Sequence, residues 1–222
     1  MKINGNNNIS FQSRNSTIRF ADDIARNINK AYPRISASKF QRFNSAKKFE
    51  NYMDKLWDKN EALRNIIEIK NKKTINSSEK IENVISTIKK LKLGNCAEST
   101  YLAYIAAKMN GIEDPKFAYL TTPKEYDLDH AVLLIEGKKP YVIDAWLGFA
   151  DYVPNAIKRY QKEYRQCFDF KKAKTENIVI KREPYLVYYA SVQKFFSDKD
   201  LDFVTKTFPD LKLKKRNQSN SL

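Results

Sequence analysis

The chain has 222 residues, 42% of them hydrophobic, with 41 Lys and Arg against 26 Asp and Glu and a formal charge of +15. That length suits one domain, the apolar fraction suffices for a core, and the charge favours acidic partners: nucleic acid, an anionic membrane or an acidic protein surface. One histidine and two cysteines supply no zinc cluster, which needs three or four ligands at short spacing, and no disulfide-built secreted scaffold, so a reducing compartment is expected. No run approaches the roughly 18 apolar residues of a membrane span. The composition, rich in Asn, Lys, Ile and Tyr, also suits an AT-rich coding sequence, which would account for part of the charge without function.

In chain order, residues 1–20 (MKINGNNNISFQSRNSTIRF) read as a flexible, polar leader without the apolar core of a secretory signal. The protein is therefore expected in the cytoplasm, or exported by a specialised system without a cleaved signal peptide. Residues 21–93 form a helical N-terminal annex. Within it, Phe49, Met53, Leu56, Trp57 and Ile66 make an amphipathic stripe expected to face the core. Residues 70–76 read as a polar break. Asn76, with Glu79 three residues on, predicts an N-cap for a helix over Ser77–Leu91.

Gly94-Asn95 then stops one segment and Cys96 opens another, CAESTYLAYIAAKMN, closed by Gly111 where a left-handed cap is wanted. A thiol there sits at the positive end of a helix dipole, which favours the nucleophilic thiolate. The small residues of this helix suit close packing on a sheet. After Gly111 the period changes from 3.6 to 2. KFAYLT (116–121) is a strand, and HAVLLIE (130–136) and PYVIDAW (140–146), joined through Gly137, form a β-hairpin. His130 begins one strand and Asp144 ends the next, so antiparallel pairing brings them to one end of the sheet. Pro154 opens a helix over 155–165. Two strands are predicted at 176–182 and 185–190, then a helix over 198–208 capped by Ser197 and Asp200. Residues 94–210 are expected to form a core carrying Cys96, His130 and Asp144, and 211–222 a basic, flexible tail. Cys167, among aromatics, reads as core; a disulfide to Cys96 would consume the thiol.

Cys96, His130 and Asp144 supply the types that thiol acyl transfer requires: a nucleophile, a proton carrier, and a carboxylate that orients the imidazole. The Cys96 N–H is a natural oxyanion donor. Asn95 either adds a side-chain donor to the substrate site or simply turns the chain. Trp146 either walls the cleft or fills core.

Gly94-Asn95-Cys96-Ala97-Glu98, then Asp129-His130-Ala131-Val132, then Val142-Ile143-Asp144-Ala145-Trp146 resembles the papain-like and transglutaminase-like cysteine enzymes, nearest to bacterial effector proteases and glutamine deamidases. Ala145 departs from the proline usual there. The resemblance covers about residues 90–150. It implies an α+β fold, a central helix carrying the cysteine packed on an antiparallel sheet, and a Cys96–His130–Asp144 triad with no metal or organic cofactor. It also implies a protein substrate whose amide bonds undergo hydrolysis, deamidation or transfer; the sequence leaves those three open. A monomer is expected. The rival reading is a non-enzymatic basic module binding nucleic acid or another acidic partner, although no RNA- or DNA-binding motif is present.

Overall fold

The computed structural model describes residues 16–35, 45–122, 127–164, 178–182, 189, 192 and 196–214. The fold is α+β, with six helices and a five-stranded antiparallel sheet among those residues. Cys167 and most of the strand expected at 185–190 lie outside them.

Helix α1 (Ser16–Ala31) buries Ile18, Ala21, Ile24, Ala25 and Ile28 at helical spacing. It begins inside the expected leader, because Ile18 and Ala21 continue its apolar stripe into the core. Helix α2 (Ala46–Lys72) is capped by Ser45, whose hydroxyl accepts from Lys48 N–H at 3.3 Å. It runs through the first part of the expected polar break. Its buried line is Leu56, Asn60, Leu63 and Ile67, whereas Trp57 and Ile66 are exposed. Adjacent residues on a helix lie about 100° apart, so Leu56 and Trp57 cannot both centre the buried face, and packing selects Leu56.

Helix α3 (Ser77–Leu91) is capped by the Asn76 side chain, which accepts from Ser78 N–H at 2.9 Å. Lys92 turns left-handed (φ 53°) and ends it. Helix α4 (Cys96–Met109) is almost wholly buried. It closes with Gly111 at φ 82°, where Ile112 N–H reaches Ala107 O at 2.9 Å, a Schellman ending.

The strands are β1 (Pro115–Thr121), β2 (Asp127–Ile135), β3 (Tyr141–Asp144), β4 (Phe149–Tyr152) and β5 (Val179–Arg182), ordered β4-β3-β2-β1-β5. Strand β4 is absent from the sequence expectation, since FADY carries neither alternation nor a β-branched run. On one face, Phe117, Leu133, Ile143 and Ala150 share a core with α1, α3 and α4. On the other, Ala118, Val132, Val142 and Phe149 meet Ala156, Tyr160 and Tyr164 of α5 (Val153–Tyr164). Each fully buried aliphatic or aromatic side chain stabilises the fold by about 1.5–3 kcal/mol. The N-terminal helices thus share one core with the sheet.

Helix α6 (Asp198–Thr207) opens on the expected capping box: Ser197 N–H donates to Asp200 Oδ2 at 2.9 Å and Asp200 N–H returns to Ser197 Oγ at 3.3 Å. Buried Asp200 also accepts the Ser77 and Ser78 hydroxyls at 2.7 Å each, which fixes α6 to the start of α3. The expected tail is ordered at its beginning. Leu211 is buried, and Asn110 accepts from Leu213 N–H at 3.0 Å and donates to Leu211 O at 3.3 Å.

Candidate active site

Residues 94–98 set the entry to α4. Asn95 is the N-cap, and Glu98 reaches back to the Asn95 N–H at 2.7 Å. This reciprocal half of a capping box was legible as the spacing Asn95-x-x-Glu98. Gly94 has φ 152°, and a Cβ there would stand 2.9 Å from the Glu98 Cβ and 3.0 Å from the Arg34 Cδ. Glycine is required because the chain passes directly over the Glu98 side chain.

Glu98 is fully buried, which is tolerable for a carboxylate only when it is paired. Arg64 of α2 donates to it through Nε at 2.9 Å and Nη2 at 3.4 Å. Arg34, just beyond α1, faces it electrostatically. Arg34 is itself held by Tyr32 O at 2.7 Å and Asn29 Oδ1 at 2.6 Å. Burial lowers its pKa to about 10, against the attraction of Glu98. One carboxylate therefore joins α1, α2 and the start of α4.

Cys96 is partly exposed at that helix start. Backbone N–H groups in the first turn of a helix lack intrahelical partners, so the position suits developing negative charge. Arg64 adds to this. Burial opposes its charge, but Glu98 and, to a lesser degree, Tyr189 and Cys96 hold its pKa above the usual arginine value.

The second part of the site belongs to the hairpin. Leu133 pairs with Ile143 and Leu134 with Val142, which sets His130 diagonal to Asp144, within side-chain reach. Strand β2 starts before His130. Its register slips opposite Tyr119–Thr121, where four residue steps of β2 face two of β1. Such irregularities re-aim side chains at strand ends. His130 Nε2 and Asp144 Oδ2 lie 2.7 Å apart, both side chains almost fully buried.

Asp144 is fully partnered. Its Oδ2 also accepts the Tyr160 hydroxyl at 2.9 Å, and its Oδ1 accepts Trp146 N–H at 3.0 Å and Leu147 N–H at 2.8 Å. Tyr160 remains a donor because burial, then the neighbouring Asp144, raises its pKa well above the ordinary value. The His130 ring lies between Trp146 (centroids 5.0 Å apart) and Tyr160 (5.6 Å).

Burial alone would lower the His130 pKa. The Asp144 charge and hydrogen bond, helped by the nearby Cys96, outweigh it and raise the value to about 10. With Nε2 on Asp144, the remaining ring nitrogen is the one available to Cys96. The structure thus brings Cys96, His130 and Asp144 together. It makes Trp146 the cover of the imidazole and Asn95 the cap beside the cysteine. Tyr160, Arg64 and Glu98 complete the site. Glu98 had a sequence signal in its spacing from Asn95; Tyr160 and Arg64 had none, because each acts across a tertiary contact.

Among the described residues no group of three or more His, Cys, Asp or Glu is arranged to hold a metal ion, and no helix is long and apolar enough to cross a membrane. The chain matches no protein-family model, no curated protein and no solved structure.

Proposed function

We propose that the protein is a thiol-dependent acyl-transfer enzyme acting on amide bonds of a protein substrate, with Cys96 as nucleophile. The observation that carries this reading is the buried His130–Asp144 contact at 2.7 Å, with Cys96 near enough to the same imidazole to act on its charge. A histidine whose pKa is raised to about 10 is imidazolium at neutral pH, the partner that a thiolate needs.

The Cys96 thiolate attacks the amide carbonyl carbon, and the carbonyl π electrons move onto oxygen. The Cys96 N–H at the start of α4 faces that oxyanion. Collapse breaks the C–N bond, His130 gives its proton to the departing nitrogen, and a thioester remains. Water or an amine then adds while His130 takes its proton; the C–S bond breaks and the thiolate returns. Asp144, held by Tyr160 and two backbone N–H groups, keeps the imidazole oriented and answers its charge. The likeness of residues 94–98, 129–132 and 142–146 to papain-like and transglutaminase-like enzymes supports a protein substrate by analogy of motif.

Mass spectrometry after incubation with candidate proteins tests the reading. A gain of about one dalton marks deamidation, new termini mark cleavage, and a mass added on an amine marks transfer, all lost in Cys96→Ser. If no candidate is altered and Cys96 is no more reactive to iodoacetamide than in the unfolded chain, the reading is wrong.

A second reading rests on a groove of about 880 Å³, where Arg19, Arg26, Lys30, Lys212 and Lys214 converge with Asp23. This surface favours binding an acidic partner, with or without catalysis. Affinity for a nucleic-acid oligomer that falls steeply with salt, and falls again on Lys212→Glu, would support it.

A further inference from the structure

Trp57, Asn60, Glu61 and Arg64 recur at the three- and four-residue spacing of one helix stripe on α2, and with Asn95 they line a cavity of about 220 Å³. Asn95 is the residue before Cys96, so the wall of the cavity reaches the start of the helix that carries the thiol. Arg64, its one cationic side chain, is turned onto Glu98 through Nε at 2.9 Å and Nη2 at 3.4 Å.

Two acceptors of the cavity, on Asn60 and Glu61, are uncommitted among the described residues. Asn60 is only 2% exposed, and its Nδ2 donates to Leu56 O at 2.7 Å. A carbonyl can only accept, so this bond fixes which end of the amide is nitrogen. The Asn60 Oδ1 is then left buried without a partner, an unfavourable state that marks it for a donor from outside the chain. Glu61, one residue on, is exposed and forms no ion pair among the described residues. Trp57, 47% exposed, offers an open aromatic face.

The charges around the thiol are otherwise answered. Arg34 faces Glu98, Arg64 faces Glu98 and Cys96, and His130 faces Asp144. Glu61 has no charged counterpart among the described residues. A buried amide oxygen, a free carboxylate and an aromatic face together suit a group that carries positive charge and donates several hydrogen bonds.

We propose that this cavity is a subsite for a cationic side chain, the ammonium of lysine or the guanidinium of arginine, presented by the protein substrate next to the amide that Cys96 attacks. The proposal rests on the reading of Cys96 as the nucleophile. It gives a protein of formal charge +15 a local preference opposite to its overall field.

The test needs no identified substrate. In a Cys167→Ser chain, Cys96 is the only thiol. It is labelled with methanethiosulfonates bearing an ethylammonium, a methyl or an ethylsulfonate group; in each, the thiolate takes the thioalkyl group and methanesulfinate leaves. Rates are divided by those with glutathione. The ammonium reagent should exceed the methyl reagent by about tenfold, and Glu61→Gln should remove most of that preference. Trp57→Ala should reduce it less. Glu68→Gln, which removes the same charge from α2 outside the cavity, should keep the wild-type ratio.

If the methyl reagent labels Cys96 rapidly but no cation preference exists, or the preference survives Glu61→Gln, the subsite is refuted and the nucleophile stands. A neutral or anionic occupant would appear as equal rates or as preference for the sulfonate. If the methyl reagent labels Cys96 no faster in the folded than in the unfolded chain, both proposals fall together.

Discussion

The two sides of Cys96 are finished to different degrees. On the sheet side, both Asp144 oxygens are engaged by His130, Tyr160 and two backbone N–H groups, and the imidazole is enclosed by Trp146 and Tyr160. On the α2 side, Asn60 Oδ1 lacks a donor and Trp57 is half exposed. Proton handling requires a geometry fixed before substrate arrives, because a fraction of an ångström decides whether a proton moves. Recognition can leave its polar groups open for the substrate to fill.

The largest effect should come from breaking the closed side at its reacting atoms. Cys96→Ser and His130→Ala are each expected to abolish turnover, whereas Cys167→Ser should leave it nearly unchanged. His130→Ala also leaves a buried carboxylate without its cation, so its unfolding free energy should fall by about 3–5 kcal/mol. Circular dichroism at 25 °C distinguishes a folded inactive protein from an unfolded one.

Asp144→Asn should be a graded lesion. The equivalent change in serine proteases costs about 10⁴-fold; a thiol is the more acidic nucleophile, so a loss on the order of 10–10³-fold is expected. Labelling of Cys96 by iodoacetamide should require higher pH, and coincident wild-type and variant curves would remove Asp144 from the site. The pH dependence of stability has a definite sign. The His130 pKa is raised in the fold from 6.5 to about 10, so its contribution is fully present below pH 6.5 and is lost as pH rises through about 10. In Asp144→Asn that alkaline loss should flatten, which thermal melts between pH 6 and 10 will measure.

Glu98→Gln should act on the hinge between the two sides. A neutral amide cannot balance Arg64 and Arg34 while accepting from Asn95 N–H. Labelling at pH 7 should slow by about tenfold, with a stability loss of about 2 kcal/mol. An unchanged labelling rate with reduced stability would reduce Glu98 to a structural tie.

The smallest effect should follow Tyr160→Phe. It removes one of four hydrogen bonds to the Asp144 side chain, and the expected cost is about 1 kcal/mol of stability with a severalfold fall in labelling rate. A loss as large as that of Asp144→Asn would mean that Tyr160, rather than the backbone turn, positions the carboxylate.

Much of this was legible in residue order. Local patterns determine local structure wherever the physics is local. The left-handed Gly111, the Asn76 and Ser197 caps, the buried small-residue helix after Cys96 and the hairpin through Gly137 each depend on a few adjacent residues. The hairpin is short enough that its register follows from its turn, which is why the spacing of His130 and Asp144 already pointed to one end of the sheet. Only the start of α1, Ser16–Phe20, was hidden in the polar leader, and β4 carries no pattern of its own.

Tertiary structure alone decided the rest. Leu56 rather than Trp57 faces the core because a helix does not encode its own rotation against a neighbour. Tyr160 reaches Asp144 because α5 packs across the far face of the sheet. Arg34, Arg64 and Glu98 meet because three segments distant in sequence are folded onto one buried carboxylate. A sequence names the groups that can carry charge and accept protons, but burial and distance, which set whether those charges are paired or left open, exist only once the chain has closed on itself.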